Sequence, residues 1–137
     1  MILVDTGPLV ALFDPKDSYH KHCRSIMKTL REPLLTTVPV ITEAFHLLTP
    51  GSKGSLALGS FIKQNGMTVW QLEDETLKTA LILMEKYADK PMDLADASLV
   101  VAAQCLGISR VFTVDRRDFF VYRLSIGHEI KCFEVIG

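Results

Sequence analysis

Two carboxylates lie within apolar helical segments of the sequence, where a charged side chain needs a partner. Asp96 is the only charged residue of the segment Leu94–Leu106, which is apolar on nearly every side of a predicted helix. Glu43 is the only Asp, Glu, Lys or Arg from position 36 to position 52, and at helical spacing it shares a face with apolar residues. An ionised carboxylate is rarely buried without a cation or hydrogen-bond donors. Both residues are therefore candidates for metal binding or catalysis, although a helix edge that lets Glu43 reach water is an alternative.

Two further acids follow predicted strands. Asp5 comes directly after the apolar residues 1–4, and Asp115 follows the β-rich residues 110–114. In parallel α/β sheets, ligands bind outside the carboxyl ends of the strands, so both acids stand where chemistry is expected. Each also has a structural alternative. Asp5 could cap the helix that follows it, and Asp115 could begin a turn.

Asp93 precedes Asp96 by three residues and is the natural N-cap of the same predicted helix. An acid in the first turn gains less than about 1 kcal/mol from the helix dipole. That gain is small beside the cost of desolvating an unpaired carboxylate. No Lys or Arg follows Asp96 within one helical turn, so its partner must come from elsewhere in the fold.

Four carboxylates that converge on one point need a cation. Two unit charges about 4 Å apart repel by roughly 4 kcal/mol at an effective dielectric constant of about 20. The three Cys and four His residues show no ligand spacing, and oxygen ligands alone favour Mg²⁺ or Mn²⁺ over zinc. Such ions activate water for attack on a phosphodiester. The acids therefore predict a small divalent-metal nuclease.

The elements that must position these acids alternate between β-rich and helical patterns. Strands are predicted at residues 1–4, 33–37, 67–71, 110–114 and 130–135, and helices at 6–13, 18–31, 39–48, 55–64, 74–87 and 94–106. This alternation predicts parallel βαβ units, and so a three-layer α/β/α sandwich with a central, mostly parallel sheet. With no linker or repeat, residues 1–137 are predicted to form a single domain.

Composition narrows the classes of protein that the chain can represent. With 15 Lys and Arg against 16 Asp and Glu, the chain is too close to neutral to grip nucleic acid by charge alone. No apolar run exceeds the five residues of 99–103, which is far shorter than the roughly 20 residues that span a bilayer. The amino terminus lacks the pattern of a secretory signal, and the three scattered cysteines suit a reducing compartment. We therefore expect a cytoplasmic protein with no membrane partner.

Four short motifs resemble, in their order, those of a PIN domain, and more narrowly those of VapC-like ribonuclease toxins. The motifs are Leu3-Val4-Asp5-Thr6, Thr42-Glu43-Ala44, Leu94-Ala95-Asp96-Ala97 and Thr113-Val114-Asp115-Arg116-Arg117-Asp118-Phe119. The resemblance covers the whole chain. It assigns the family's catalytic, metal-binding quartet to Asp5, Glu43, Asp96 and Asp115. It adds Asp118 as a further metal-binding acid and gives supporting roles to Thr6, Thr113 and Asp93.

The resemblance also implies an activity and partners. PIN-domain toxins of this kind are Mg²⁺- or Mn²⁺-dependent endoribonucleases that cut RNA, commonly form homodimers and are blocked by an antitoxin protein. Arg116 and Arg117 flank Asp115 and are candidates to hold RNA phosphates. A solvated turn explains the two arginines equally well.

Two other functions remain open at this point. A PIN fold could bind RNA or protein without cutting, although loss of an acid would mark such a module. A Mg²⁺-dependent phosphoryl-transfer domain also places Asp at strand ends. The haloacid-dehalogenase pattern, however, needs a second Asp at position 7, where this chain has Gly, and the receiver pattern does not place acids on helices.

Overall fold

Residues 1–137, all of which the computed structural model describes, form seven strands and seven helices. The strands are β1 (Ile2–Val4), β2 (Leu34–Thr37), β3 (Thr68–Trp70), β4 (Arg110–Phe112), β5 (Arg123–Ile126), β6 (Glu129–Cys132) and β7 (Glu134–Ile136). The helices are α1 (Thr6–Phe13), α2 (His20–Thr29), α3 (Val38–Leu47), α4 (Lys53–Lys63), α5 (Asp74–Lys86), α6 (Leu94–Leu106) and α7 (Arg116–Val121). None of these helices is long and apolar enough to cross a bilayer.

Five strands form one parallel sheet in the order β3-β2-β1-β4-β7, which confirms the predicted fold class. The chain moves outward from β1 to β3 and then returns to β4 on the other side of β1. Because crossovers between parallel strands are right-handed, this reversal places α1–α4 on one face of the sheet and α5–α6 on the other. The reversal between β1 and β4 is the topological switch point, where such sheets bind ligands.

The sequence forms these elements because the sheet is covered on both faces. All three residues of β1 are fully buried, which explains an apolar run without alternation. Helix α6 has eight buried residues from Ala95 to Ala103, most of them small, and it packs against α5, α3 and β2. Gly107 ends α6 in the left-handed conformation, with a φ of 68°.

The carboxyl-terminal part of the chain differs from the prediction. The single strand predicted at residues 130–135 is wrong, because β6 pairs antiparallel with β5 while β7 pairs parallel with β4. The chain must change sheets between them, and it does so at the buried Phe133. Helix α7 is not predicted by the sequence pattern, since six residues are too few to show helical periodicity. Strand β4 also ends at Phe112, two residues before its predicted end.

Helix α4 allows a matched test of its packing against α1. A Cβ atom added at Gly54 would lie 2.5 Å from the backbone carbonyl oxygen of Phe13, whereas one added at Gly59 would have no atom within 4 Å. We expect Gly54→Ala to lower the free energy of unfolding by about 1–3 kcal/mol, because backbone cannot yield as a side chain can. Gly59→Ala should raise it by about 0.5–1 kcal/mol through helix propensity. Urea unfolding of both variants measures the two effects, and a stable Gly54→Ala protein would contradict this account.

Candidate active site

Six carboxylates line one cavity of about 280 Å³ at the switch point between β1 and β4, hereafter the acid cavity. No Lys, Arg or His residue lines it. The structure therefore brings together all four acids of the predicted quartet and both additional acids. The six residues are Asp5, Glu43, Asp93, Asp96, Asp115 and Asp118.

Asp5 is held by two hydrogen bonds at the end of β1. Its Oδ1 accepts from the backbone N–H of Thr6, and its Oδ2 accepts from the hydroxyl of Thr113, both at 2.8 Å. The side chain is only 7% exposed. Burial raises the pKa of Asp5 to about 6 against these hydrogen bonds, and the nearby charges of Asp93 and Glu43 add to the rise. Asp5 is thus both the N-cap of α1 and a wall of the acid cavity.

Thr113 joins the ends of the two central strands. Its buried hydroxyl donates to Asp5 and accepts a hydrogen bond from the backbone N–H of Asp115 at 2.9 Å. Thr113 therefore fixes the position of one predicted ligand and the backbone of a second.

Asp96 lies in the first turn of α6, and Asp93 is the N-cap of that helix, as predicted. The Oδ1 of Asp93 accepts from the backbone N–H of Asp96 at 2.8 Å. The Oδ2 of Asp96 accepts from the hydroxyl of Tyr122 at 2.9 Å. Burial, followed by the charges of Asp5 and Asp93, raises the pKa of Asp96 to about 8, and the bond from Tyr122 opposes this rise.

Tyr122 is the partner of Asp96 that sequence reasoning missed. Its ring packs edge-on against Tyr87 and Phe119, with centroids 5.2 and 5.3 Å away. Burial and the charge of Asp96 raise the pKa of the Tyr122 hydroxyl, so it stays a donor at neutral pH. No signal in the sequence marks it, because a buried tyrosine 26 residues from an acid resembles ordinary core.

Glu43, Asp115 and Asp118 complete the acid cavity. Glu43 is half-buried in the middle of α3. Asp115 is exposed and caps α7, with its Oδ1 3.5 Å from the backbone N–H of Asp118. Partial burial, together with the adjacent Asp115, raises the pKa of Asp118, while Lys90 acts in the opposite direction. The capping alternative therefore holds for Asp5, whereas Asp115, whose alternative was to begin a turn, caps a helix instead, and both residues still line the cavity.

The remaining predicted residues differ in their relation to this cavity. The hydroxyl of Thr6 is buried without a hydrogen-bond partner, and Thr6 lines the cavity wall. Arg116 donates to the carbonyl oxygen of Gly137 at 2.7 Å and lies over the ring of Phe120. Arg117 is exposed, and neither arginine lines the acid cavity.

The donor set of the acid cavity fits a hard divalent cation. All its titratable groups are carboxylates, the ligands that Mg²⁺, Mn²⁺ and Ca²⁺ prefer. Burial, with a smaller contribution from neighbouring carboxylates, raises the pKa values of Asp5 and Asp96, and a divalent cation beside them would favour their ionised forms. As the side chains are placed, no three Asp, Glu, His or Cys residues are arranged to hold an ion. The chemistry of the ligands therefore fits, while a coordination geometry is not defined.

The parallel α/β sheet and the carboxylate-lined cavity at its switch point place this protein in the class of α/β proteins with a candidate cation site. The model of the PIN domain family matches residues 2–123, and the chain belongs to that family. This assignment sets aside the phosphoryl-transfer alternative.

One relative in sequence and two solved structures of similar fold show what the chain is similar to. It is 25% identical over 127 residues to ribonuclease VapC26 of Mycobacterium tuberculosis, covering 89% of this chain and 92% of that protein. Its fold matches the crystal structure of M. tuberculosis VapC20, a Sarcin-Ricin loop cleaving toxin, with a TM-score of 0.79, 18% identity and coverage of 85% and 92% of the two chains. It also matches a chain of a toxin–antitoxin complex from Klebsiella pneumoniae, with a TM-score of 0.65, 14% identity and coverage of 87% and 90%.

Tyr122→Phe tests the support of Asp96. Removing the hydroxyl leaves the ring packing intact but takes away the donor that favours the ionised Asp96. We expect Mn²⁺ to bind about tenfold or more weakly, as when other groups that orient metal ligands are lost. The control is Tyr87→Phe, because the Tyr87 hydroxyl accepts from the backbone N–H of Arg123 and does not touch the acids. Electron paramagnetic resonance of Mn²⁺ measures both affinities, and equal losses in the two variants would contradict a specific role for Tyr122.

Asp96→Asn should stabilise the metal-free protein. The pKa of Asp96 is higher in the folded chain than in the unfolded chain, so the folded state binds more protons between about pH 4 and pH 8. In EDTA, the free energy of unfolding of the wild type should therefore fall as the pH rises through this range. The variant should show a flatter profile and a gain of about 1 kcal/mol or more at pH 8. The control is Asp74→Asn, on the exposed first turn of α5, which should keep the wild-type profile in the same urea titrations. An Asp96→Asn profile identical to that of the wild type would contradict the raised pKa of Asp96.

Proposed function

We propose that this protein is a divalent-metal-dependent endoribonuclease that hydrolyses RNA phosphodiester bonds at the acid cavity, and that it is the toxin of a toxin–antitoxin pair. The observation that carries the proposal is that six carboxylates, with no basic side chain among them, line one cavity of a PIN-family chain. The names of two similar proteins, a ribonuclease and a loop-cleaving toxin, support RNA as the substrate. We place the activity in the cytoplasm, because RNA is found in that compartment and its reducing conditions suit the three free cysteines of the chain.

In this proposal Asp5, Glu43, Asp96 and Asp115 bind Mg²⁺ or Mn²⁺, with Asp118 as a further ligand. A divalent ion bound there supplies a Lewis acid and an activated water nucleophile. The protein's own contribution is position. Thr113 orients Asp5, and Tyr122 orients Asp96, each by a hydrogen bond that leaves the carboxylate free to accept another interaction.

Electrostatics explain why a metal is needed before RNA can bind. The acid cavity has no cationic side chain, so its carboxylates repel a phosphate until a cation is present. The chain's net charge of −1 offers no general attraction to compensate. Arg116 and Arg117 are the nearest basic residues in sequence to Asp115. Since Arg116 is held against Gly137 and Phe120, Arg117 is the better placed of the two to hold a neighbouring phosphate.

An apolar groove between α1, α2 and α4 supports an antitoxin as partner. It has a volume of about 350 Å³ and an apolar lining, and two cationic side chains, Arg24 and Lys28, stand among its residues. The rings of Phe13 and Phe61 pack together in it, with centroids 5.6 Å apart. An amphipathic antitoxin segment with acidic residues suits this lining. That a similar fold occurs in a toxin–antitoxin complex agrees with this partner.

A homodimer is the second association that we propose. Helix α5 exposes Leu77 and Leu81, with 37% and 47% of each residue accessible, and these two residues lie four apart on one apolar stripe. The adjacent Ile82 is 63% accessible and lies beside this stripe. Pairing two copies through this stripe would remove it from water.

The cleavage experiment uses the purified chain, a mixed RNA pool and either EDTA, Mg²⁺ or Mn²⁺. We expect cuts only with metal, and a loss of at least about a hundredfold in rate for Asp96→Asn, because one ligand is removed without changing the shape of the residue. Asp93→Asn should lose much less, since Asn still caps α6. Asp74→Asn is the control for the loss of one surface charge and should cut at the wild-type rate.

The pattern of losses distinguishes the candidate functions. Metal-dependent cuts that disappear in Asp96→Asn would support the nuclease. RNA binding without metal-dependent cleavage, in a protein that binds Mn²⁺, would instead favour a non-catalytic PIN-fold module. An Asp93→Asn protein as inactive as Asp96→Asn would add Asp93 to the metal ligands.

A further inference from the structure

A second cavity opens directly beside the acid cavity. It has a volume of about 580 Å³ and lies between α3 and the first turn of α6. Glu43 and Asp93 line both cavities, so the two cavities share that wall. We call it the α3–α6 cavity. Its other lining residues are Val38, Pro39, Thr42, His46, Leu94 and Ala95.

The lining of the α3–α6 cavity suits an uncharged, planar group. Val38, Pro39 and Leu94 give it apolar walls, and no Lys or Arg is present to hold a phosphate. The two carboxylates at the shared wall would repel one. The polar groups that remain are the Thr42 hydroxyl and the His46 imidazole, and both can hydrogen-bond to the edge of a base. An apolar slot with a few polar groups is the usual form of a site for a heterocyclic ring.

Thr42 and His46 lie on one stripe of α3, four residues apart and in line with Val38. The Thr42 hydroxyl donates to the backbone carbonyl oxygen of Val38 at 2.9 Å, which leaves its oxygen free to accept from a base amino or imino group. His46 is exposed and offers its imidazole to stack against a base or to bond to its edge. The stripe begins at Val38, directly after β2, and runs along α3 beside Glu43. Thr42 and His46 line the α3–α6 cavity and not the acid cavity.

We propose that the α3–α6 cavity is a nucleobase subsite, which receives the base next to the cleaved phosphate and sets the base preference of the enzyme through His46 and Thr42. The inference rests on the proposed function in that the acid cavity holds the phosphate. A base in the α3–α6 cavity places its own backbone at Glu43 and Asp93, where the two cavities meet. Single-stranded RNA is the substrate class that this arrangement favours, because a paired base would first have to be unpaired and unstacked before it could enter the cavity.

The first experiment measures base binding without metal or cleavage. Uncharged methylphosphonate-linked dinucleotides of each base are titrated in EDTA against protein labelled at His ring and methyl carbons, and the NMR signals are followed. We expect saturable shifts at His46, Val38 and Leu94 for at least one base, and none with an abasic dinucleotide. His46→Ala should weaken binding by about fivefold to a hundredfold, the range found when a stacking aromatic is lost. The control, His128→Ala in the β5–β6 turn, should bind as the wild type does.

The second experiment compares the bases found beside the cut sites of wild type, His46→Ala, Thr42→Val and His128→Ala. We expect His46→Ala and Thr42→Val to change the base preference and His128→Ala to leave it as in the wild type, with the same metal dependence in all four proteins. RNA cleavage whose base preference is the same in all four proteins would overturn the subsite and leave the nuclease proposal standing. Saturable dinucleotide binding at His46 in a protein that cuts no RNA with either metal would support the subsite and overturn the nuclease. Dinucleotides that shift no signal in the α3–α6 cavity would overturn the subsite whatever the enzyme cuts.

Discussion

The repulsion among six carboxylates around one small cavity is the constraint to which the rest of the structure responds. Burial adds a separate cost, since it is the largest cause of the rise in the pKa of Asp5 to about 6 and of Asp96 to about 8. The backbone gives partial compensation. Three helices begin at the cavity, and their positive N-terminal ends face the acids. Five of the six carboxylates are N-caps or first-turn residues of these helices: Asp5 of α1, Asp93 and Asp96 of α6, and Asp115 and Asp118 of α7.

The sheet topology produces this convergence of helix ends. Because β1 and β4 are neighbours at the switch point, the helices that follow them start side by side. Helix α6 reaches the same edge from the other face of the sheet. Its small, buried residues let it pack closely against its neighbours, so Asp96 stands at a fixed distance from the strand ends. The apolar core thus acts on the site by holding three helix starts together.

The sequence predicts the acids better than it predicts what holds them. A charged residue such as Glu43 or Asp96 stands out within an apolar segment, and the sheet edge follows from alternating strands and helices. The supporting role of Thr113 is predicted by the family resemblance, because Thr113 lies in one of the four motifs, two residues before Asp115. The role of Tyr122 is not predicted, since nothing in the sequence distinguishes a core tyrosine that packs against other rings from one whose hydroxyl also bonds to a carboxylate. The proposed role of His46 is not predicted either, because the opposite wall of its cavity comes from α6, almost 50 residues later in the chain.

Other buried hydroxyls of the chain show how unusual the acid cavity is. Three of them, on Thr36, Thr37 and Ser98, all make hydrogen bonds of 2.6–2.9 Å. Thr6 is only 4% exposed and its hydroxyl has no partner, and it lines the same cavity as the two carboxyls with the most strongly raised acid pKa values. Unfavourable features that coincide at one place, in a fold that satisfies comparable groups elsewhere, are typical of a functional site. A divalent cation bound among these acids would relieve the charge of the carboxylates. The local instability of the cavity is therefore evidence for its function that is independent of any resemblance in sequence.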